Sequence, residues 1–307
     1  MLDYKMIIKS RAVRGKILDA LSFVPDKTMI ELQYWIKTGR RLNLKKTKRF
    51  TEKLQWMKLY YRDPLMIQCV DKYDVREYVK SQGLEDILVK CYGVFDKASD
   101  VDFDKLPEKF VMKDTLGGGG NSVIICTDKT QLDIAQVREQ MERWTAVDCH
   151  RKSGGREWPY YSGKKHRIIV EELLPSNADK GGLIDYKTFC FNGTPEFLYV
   201  VADRKIGNKA GLGIFTANYE KLEAARYDEN PLVRDVPKPD HFEKMMEVCK
   251  VLSKPFPEVR IDLYNLEGRI YFGEMTFFDG SGYMSFEPDS FDFEWGKKFV
   301  LPECRNM

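Results

Sequence analysis

Apolar residues recur at near-helical spacing through residues 15–37, with Ile17, Leu21, Ile30, Leu32, Trp35 and Ile36 as the repeating positions. Pro25 and Asp26 interrupt the pattern and predict the start of a second helix. A third helix is predicted over FTEKLQWMKLY. Thr51 is placed to cap it, its apolar face holds Leu54, Met57 and Leu59 or Tyr60, and Asp63-Pro64 ends it. Residues 71–81 read as a further helix with Gly83 as its stop. From residue 87 the period shortens. ILVKCYGVF and KFVMKDT read as strands on either side of an acidic loop, DKASDVDFDKLPE. Gly117 to Gly120 interrupt the chain before a third strand, SVIICT, and residues 131–144 return to a helical pattern. A polar and aromatic loop over 150–165 leads into the strand RIIVEELL. DYKTFCFNGTPEFLYVVADR reads as a hairpin turning at Asn192-Gly193. Residues 240–252 read as a helix, and VRIDLYNLEGRIYFGEMTFF as a hairpin turning between Asn265 and Gly268. The order predicts a helical N-terminal region followed by an α+β body of mostly antiparallel hairpins.

Composition narrows the class. The chain has 307 residues, 43% hydrophobic and 32% charged, which is globular composition. Fifty basic against 47 acidic residues leave a net charge of +3, without the excess expected of a nucleic-acid binder. No apolar run approaches the roughly 20 residues of a membrane span. The N-terminus lacks the apolar stretch and small-residue cleavage site of a signal peptide. Seven scattered cysteines, none in a Cys-x-x-Cys pair, argue against a disulfide framework or a structural zinc site. His150, His166 and His241 are too dispersed for a His-rich metal site. The expectation is a cytoplasmic protein in a reducing compartment.

Three constellations carry candidate chemistry. The first is the strand–glycine loop–strand FVMKDTLGGGGNSVIICTDK, in which a strand delivers Lys113 to a loop whose backbone N–H groups can face anionic oxygens. No helix follows the loop, so it is not a Walker A loop, and a flexible hairpin tip is the competing reading. The second is Arg260, Asp262, Glu274 and Thr276. Residues two apart on a strand share a face, and the hairpin returns Glu274 and Thr276 beside the first pair. Two carboxylates, a hydroxyl and an Arg suit Mg²⁺ on a polyphosphate, although an exposed polar hairpin face reads the same way. The third is VEELL, followed by Asp185, Lys187, Asp203 and Arg204 on alternating positions. Glu171 and Glu172 lie between apolar residues there, and solvated hairpin edges are the competing reading.

The order of these segments resembles the ATP-grasp superfamily. NLKKTKRFTEKLQWMKLYYRDPL, DKYDVREYV, DYKTFCFNG and VRIDLYNLEGRIYFGEMTFFDGSG are similar to the branch named after the teichuronopeptide biosynthesis protein TupA, over about residues 30–300. That resemblance implies an ATP-grasp fold with two α+β subdomains clasping the nucleotide. The implied boundaries are a helical region over 1–70 and an ATP-grasp core over 71–307. Within the core, a central clamp runs over about 105–175 and a metal and substrate subdomain over about 176–300. It implies ATP and Mg²⁺ as cofactors and a carboxylate activated as an acyl phosphate for attack by an amine. By the same resemblance Lys72, Lys113 and the flap residues Gly118, Gly119, Asn121 and Ser122 bind phosphates. Glu171 to Leu174 form the adenine hinge, and Asp185, with Lys187 beside it, marks the ribose position. Arg204 approaches the γ-phosphate, Asp262, Glu274 and Thr276 bind metal, and Arg260 stabilises the tetrahedral intermediate. The Gly280-Ser281-Gly282 turn, with Gly282 as its key position, holds the acyl substrate. Thr276 departs from the usual Asn of Glu-x-Asn and puts a second metal in doubt. The branch is associated with surface-polysaccharide clusters. The implied partners are therefore a carboxylate-bearing sugar or polysaccharide precursor and an amine or amino acid, with no nucleic acid. The basic stretch from Lys37 to Lys53 reads either as a solvated helical surface or as a contact for an anionic polymer or the inner membrane face. The rival activity is a glycosyltransferase using a nucleotide sugar, for which Asp100, Asp102 and Asp104 are the candidate metal motif, although in their acidic loop they read as solvated surface.

Overall fold

The computed structural model describes residues 10–118, 122–152, 154–175, 182–203 and 210–303. The chain forms two compact units. The larger comprises Met1–Asp63, Lys152–Trp158 and Ala178–Met307, and the smaller comprises Pro64–Arg151 and Pro159–Asn177. Both mix helix and sheet, so the α+β class expected from the sequence is the class observed.

Three helices open the larger unit: α1 (Arg11–Ala20), α2 (Asp26–Thr38) and α3 (Phe50–Tyr60). Ser10 caps α1 through its hydroxyl, and Gly39, at φ 73°, ends α2. The start of α3 corrects an expectation. Thr51 lies inside the first turn and does not cap it. Glu52 instead accepts the backbone N–H groups of Lys48 and Arg49, at 2.8 and 3.1 Å, and Asp292 accepts that of Thr51 at 3.0 Å. Carboxylates satisfy the orphan donors and face the positive end of the helix dipole.

The smaller unit begins with α4 (Pro64–Cys69), a helix not foreseen from the sequence. Pro64 stops one helix and starts the next, because a first-turn residue has no N–H bond to lose. Residues 71–74 form a turn in which Asp71 accepts the N–H groups of Tyr73 and Asp74. The expected helix over 71–81 therefore starts at Val75, as α5 (Val75–Ser81). A four-stranded antiparallel sheet follows in the order β1–β4–β2–β3. Its strands are β1 (Cys91–Phe95), β2 (Phe110–Asp114), β3 (Val123–Cys126) and β4 (Ile168–Glu172). Helix α6 (Ile134–Thr145) buries Val137, Met141 and Trp144 in a cluster with Phe110, Met112, Ile168 and Val170. The acidic loop joins that cluster through Val101 and Phe103, while Asp100, Asp102 and Asp104, alternating with them, face solvent.

The sheet of the larger unit has the order β11–β10–β5–β6–β7–β9. Its strands are β5 (Asp185–Phe191), β6 (Thr194–Ala202), β7 (Gly211–Thr216), β9 (Asn230–Pro231), β10 (Glu258–Leu266) and β11 (Arg269–Thr276). A separate pair joins β8 (Ala225–Arg226) to β12 (Phe286–Glu287). Helix α7 (Phe242–Ser253) packs on the sheet through Met245, Val248 and Leu252. Helix α8 (Ser290–Lys298) supplies Trp295, whose ring lies 4.5 to 5.7 Å from those of Phe50, Phe189, Phe197 and Tyr199. Packing on both faces explains why β5 is buried at six of its seven positions instead of alternating.

Candidate functional site

In the smaller unit, strand pairing of β2 with β4 sets Val111 opposite Glu171 and Lys113 opposite Ile169, so Lys113 and Glu171 share a face. Lys113 Nζ donates to Glu171 Oε2 at 2.8 Å, and Arg76 donates to Oε1 at 3.1 Å. Glu171 is buried, and two cations balance its charge; Arg76 was not foreseen. Lys72 Nζ donates to the Gly117 carbonyl at 2.5 Å, which places it at the root of the glycine loop. Ser122 O accepts from Asp114 N at 3.1 Å and closes that loop as a hairpin. Gly117 has to be glycine there, since a Cβ would lie 2.5 Å from that of Ser122. His166 Nδ1 sits 2.9 Å from both oxygens of Asp114 at the same root. Gly118 and Ser122 are described, and Leu174 is buried. Gly119, Asn121 and Arg204 lie outside the described residues.

In the larger unit, the β10–β11 hairpin decides the second constellation. Its turn pairs Leu266 with Arg269, a register that would set Asp262 opposite Gly273 and put Glu274 on the other face. A bulge after Asp262 shifts the pairing by one residue and sets Asp262 opposite Glu274 and Arg260 opposite Thr276. Gly273 permits it: a Cβ there would stand 3.0 Å from the Asp262 carbonyl oxygen. Arg260 Nε and Nη2 donate to the two oxygens of Asp262 at 2.7 and 2.8 Å, and Nη2 donates to Thr276 Oγ1 at 3.1 Å. Glu274 Oε1 lies 3.5 Å from Arg260 Nη2. Strand β5 adds Lys187, opposite Asp262 in the ladder. It bonds Asp262 and lies 3.7 Å from Asp185. Burial works against charge on Lys187, but Asp185 and Asp262 outweigh it and hold the ammonium above its ordinary value. Burial likewise opposes the Arg260 charge, and Asp262 and Asp279 keep it ionised.

Asp279 links this cluster to the Gly280–Gly282 turn and was missed from the sequence. Its Oδ1 accepts from Arg260 Nη1 and its Oδ2 from Arg226 Nη1 at 2.9 Å; Arg226 is also paired with Asp228. The Asp-Gly-Ser-Gly run was the available signal for Asp279. Arg226 stands in a stretch with no periodicity and had none.

The carboxylates of Asp262 and Glu274, with the hydroxyl of Thr276, form an oxygen-only donor set on adjacent strands, which fits a hard cation. Among the described residues no group of three or more His, Cys, Asp or Glu could hold a metal. Two carboxylates suit an ion that arrives with a polyphosphate and keeps other oxygen ligands. A metal there has to displace Lys187 or Arg260 from part of Asp262.

The basic stretch from Lys37 to Lys53 divides. Arg40 and Arg49 are paired with Asp289, and Arg49 also with Asp292. Lys53 Nζ donates to Gly296 O at 2.7 Å, and Lys37 lies 4.0 Å over the Tyr283 ring. Those four are structural, whereas Arg41, Lys45, Lys46 and Lys48 are exposed. Among the described residues no helix is long and apolar enough to cross a membrane, and no described cysteine forms a disulfide.

A family model described as TupA-like ATPgrasp matches residues 52–300. No curated protein matches the sequence. Similar solved structures include a D-alanine–D-alanine ligase from Bacillus anthracis, at 16% identity, 68% of this chain, 57% of that one and a TM-score of 0.40. The corresponding Helicobacter pylori ligase is matched at 15% identity, 83% and 70% coverage and a TM-score of 0.42. A phosphoribosylamine–glycine ligase from Thermotoga maritima is matched at 14%, 69% and 48% coverage and 0.42. The chain thus spans less than two thirds of the length of the first and third of these.

Proposed function

This chain belongs to the TupA-like ATP-grasp family, and from that membership we propose that it is an ATP-dependent carboxylate–amine ligase. A carboxylate oxygen attacks the γ-phosphorus of ATP, the bond to the β–γ bridging oxygen breaks, and ADP leaves. The amine nitrogen then attacks the acyl carbon, and the C–O bond to phosphate breaks. Inorganic phosphate departs with the proton the amine loses. Such chemistry is positioning plus charge neutralisation and needs no catalytic His or Cys. The observation that carries the reading is the convergence of Arg260, Asp262, Glu274 and Thr276 across one bulged hairpin.

In this reading Lys72, Lys113 and the Gly118–Ser122 flap bind phosphates. Glu171 and Leu174 belong to the adenine hinge, and Asp185 and Lys187 to the ribose side. Asp262 and Glu274 hold Mg²⁺ with help from Thr276; the ion, when bound, neutralises charge on the polyphosphate. Arg260 stabilises the oxyanion of the tetrahedral intermediate, and the Gly280–Gly282 turn receives the acyl group. We assign the carboxylate to a uronic acid or amino acid of a surface-polysaccharide precursor. The exposed Arg41, Lys45, Lys46 and Lys48 offer an anionic polymer a contact.

Thermal shift with ATP, ADP and UDP-sugars, each with and without Mg²⁺, tests the nucleotide, since a ligand of the native state alone raises the midpoint by mass action. Stabilisation by Mg-ATP or Mg-ADP is expected. Stabilisation by UDP-sugars only would favour the glycosyltransferase.

A further inference from the structure

The Gly280–Gly282 turn is strained. Gly280, Ser281 and Gly282 have φ of 51°, 54° and 63°, and a left-handed Ser persists only where its surroundings over-determine it. The determinants lie on α3. Gln55 Nε2 donates to Ser281 O at 3.0 Å and Gly282 O at 2.7 Å, and Lys58 Nζ donates to Ser281 O at 2.7 Å. Gly282 is backed so closely that a Cβ would stand 2.5 Å from Gln55 Nε2.

The same ammonium holds a second strained segment. Lys58 Nζ donates to Gly155 O at 2.7 Å. The next residue, Arg156, has φ 61°, is 2% exposed and donates to Leu21 O at 2.9 Å. Gln33 closes the ring, donating to Gly154 O and accepting from Tyr283 Oη, each at 2.8 Å. The side chain of Lys58 is fully buried. The ionisable groups facing it are Glu157 at 3.6 Å, Lys37 and Tyr283, whose ring centroid lies 4.6 Å from Nζ.

We propose that Gln55 and Lys58 are positioning residues that set the acyl-substrate turn and make segment 154–158 part of that site. The role of the turn rests on the ligase reading above. Charge matters to this device. An ammonium serves both carbonyls and still presents a third hydrogen towards Glu157. A neutral amine keeps two weaker donors and turns a lone pair on the carboxylate. Desolvation pushes the Lys58 amine down to about 8, against the pull of Glu157.

Hydrogen-exchange mass spectrometry on the full chain tests this, comparing wild type with Lys58→Met, Lys58→Arg and Gln55→Leu. After correction for intrinsic rates, the proposal expects Lys58→Met to raise exchange about tenfold in 154–158 and 278–286 and to leave β5 unchanged. Gln55→Leu should affect 278–286 alone. Lys58→Arg, which keeps a cation at this position, should retain most of the wild-type protection in both segments. Unchanged exchange in both Lys58→Met and Gln55→Leu, or Lys58→Arg exchanging as fast as Lys58→Met, would overturn the proposal. Thermal shift with Mg-ATP on the same samples separates the two claims. A shift missing from wild type sinks the ligase reading, and exchange still decides what holds the turn.

Discussion

Replacing Arg260 by Met removes the hub of the β10–β11 cluster. The guanidinium bonds both oxygens of Asp262, one oxygen of Asp279 and the hydroxyl of Thr276, and its two carboxylate partners are 2% and 4% exposed. Breaking a buried charge network by removing one partner typically costs about 3–5 kcal/mol. Asp262 keeps Lys187 and Asp279 keeps Arg226, so the lower end applies, about 3 kcal/mol. At roughly 2–4 °C per kcal/mol for a chain of this size, the midpoint should fall by about 6–12 °C. Adding Asp262→Asn should recover about 1.5 kcal/mol, because one of the abandoned carboxylates is gone. Urea unfolding followed by circular dichroism measures all four corners of this cycle. A loss below about 1 kcal/mol for the single change, or strict additivity in the double, would refute the assignment of Arg260 as the counter-charge to Asp262.

Lys58 makes stability rise with pH. Its folded-state value of about 8 lies below the unfolded 10.5, so the unfolded chain binds more protons between them. The contribution is full above the unfolded value and lost as pH falls through the folded one, about 3 kcal/mol in all at ~1.4 kcal/mol per unit. Stability of wild type relative to Lys58→Met, measured by denaturant from pH 7 to 10.5, should show that rise. Trp295→Ala empties the centre of the aromatic cluster and should cost about 3–5 kcal/mol by thermal or urea unfolding. Deleting Gly273 removes the bulge yet leaves Glu274 opposite Asp262 in a regular ladder, so Mg-ATP stabilisation should survive it. Gly273→Ala keeps the extra residue and sets a Cβ 3.0 Å from the Asp262 carbonyl oxygen, so it should weaken that stabilisation more, as the same thermal shift would show.

The hairpins, the glycine loop and the carriers of charge were legible because periodicity and turn residues are local. The pairing of Glu274 with Asp262 was expected for an incomplete reason: alternation along a regular hairpin separates them, and only the Gly273 bulge, invisible to a period-two argument, brings them together. Helix α8 escaped because SFDFEWGKK has modest helix propensity and is fixed by Trp295 packing against the sheet. Lys58 and Gln55 escaped for the opposite reason. On a helix beside Leu54 and Met57 they read as solvated polar positions, and only distant carbonyls from residues 155, 281 and 282 make them buried. In sequence the basic run from Lys37 to Lys53 is continuous, whether as a solvated face or as a contact for an anionic polymer. Ion pairing with Asp289 and Asp292, some 240 residues away, takes Arg40 and Arg49 out of it.

The ligase reading stands or falls with activation of a carboxylate by ATP. Hydroxylamine can replace the unknown amine and trap an acyl phosphate as a hydroxamate. The protein is incubated with Mg-ATP, hydroxylamine and ¹⁸O-carboxylate-labelled uronates and amino acids. ADP, hydroxamate and phosphate should form in equal amounts, with one ¹⁸O carried from the carboxylate into each phosphate. Cleavage of a nucleotide sugar with no ATP consumed, or phosphate released without the label, would contradict the account.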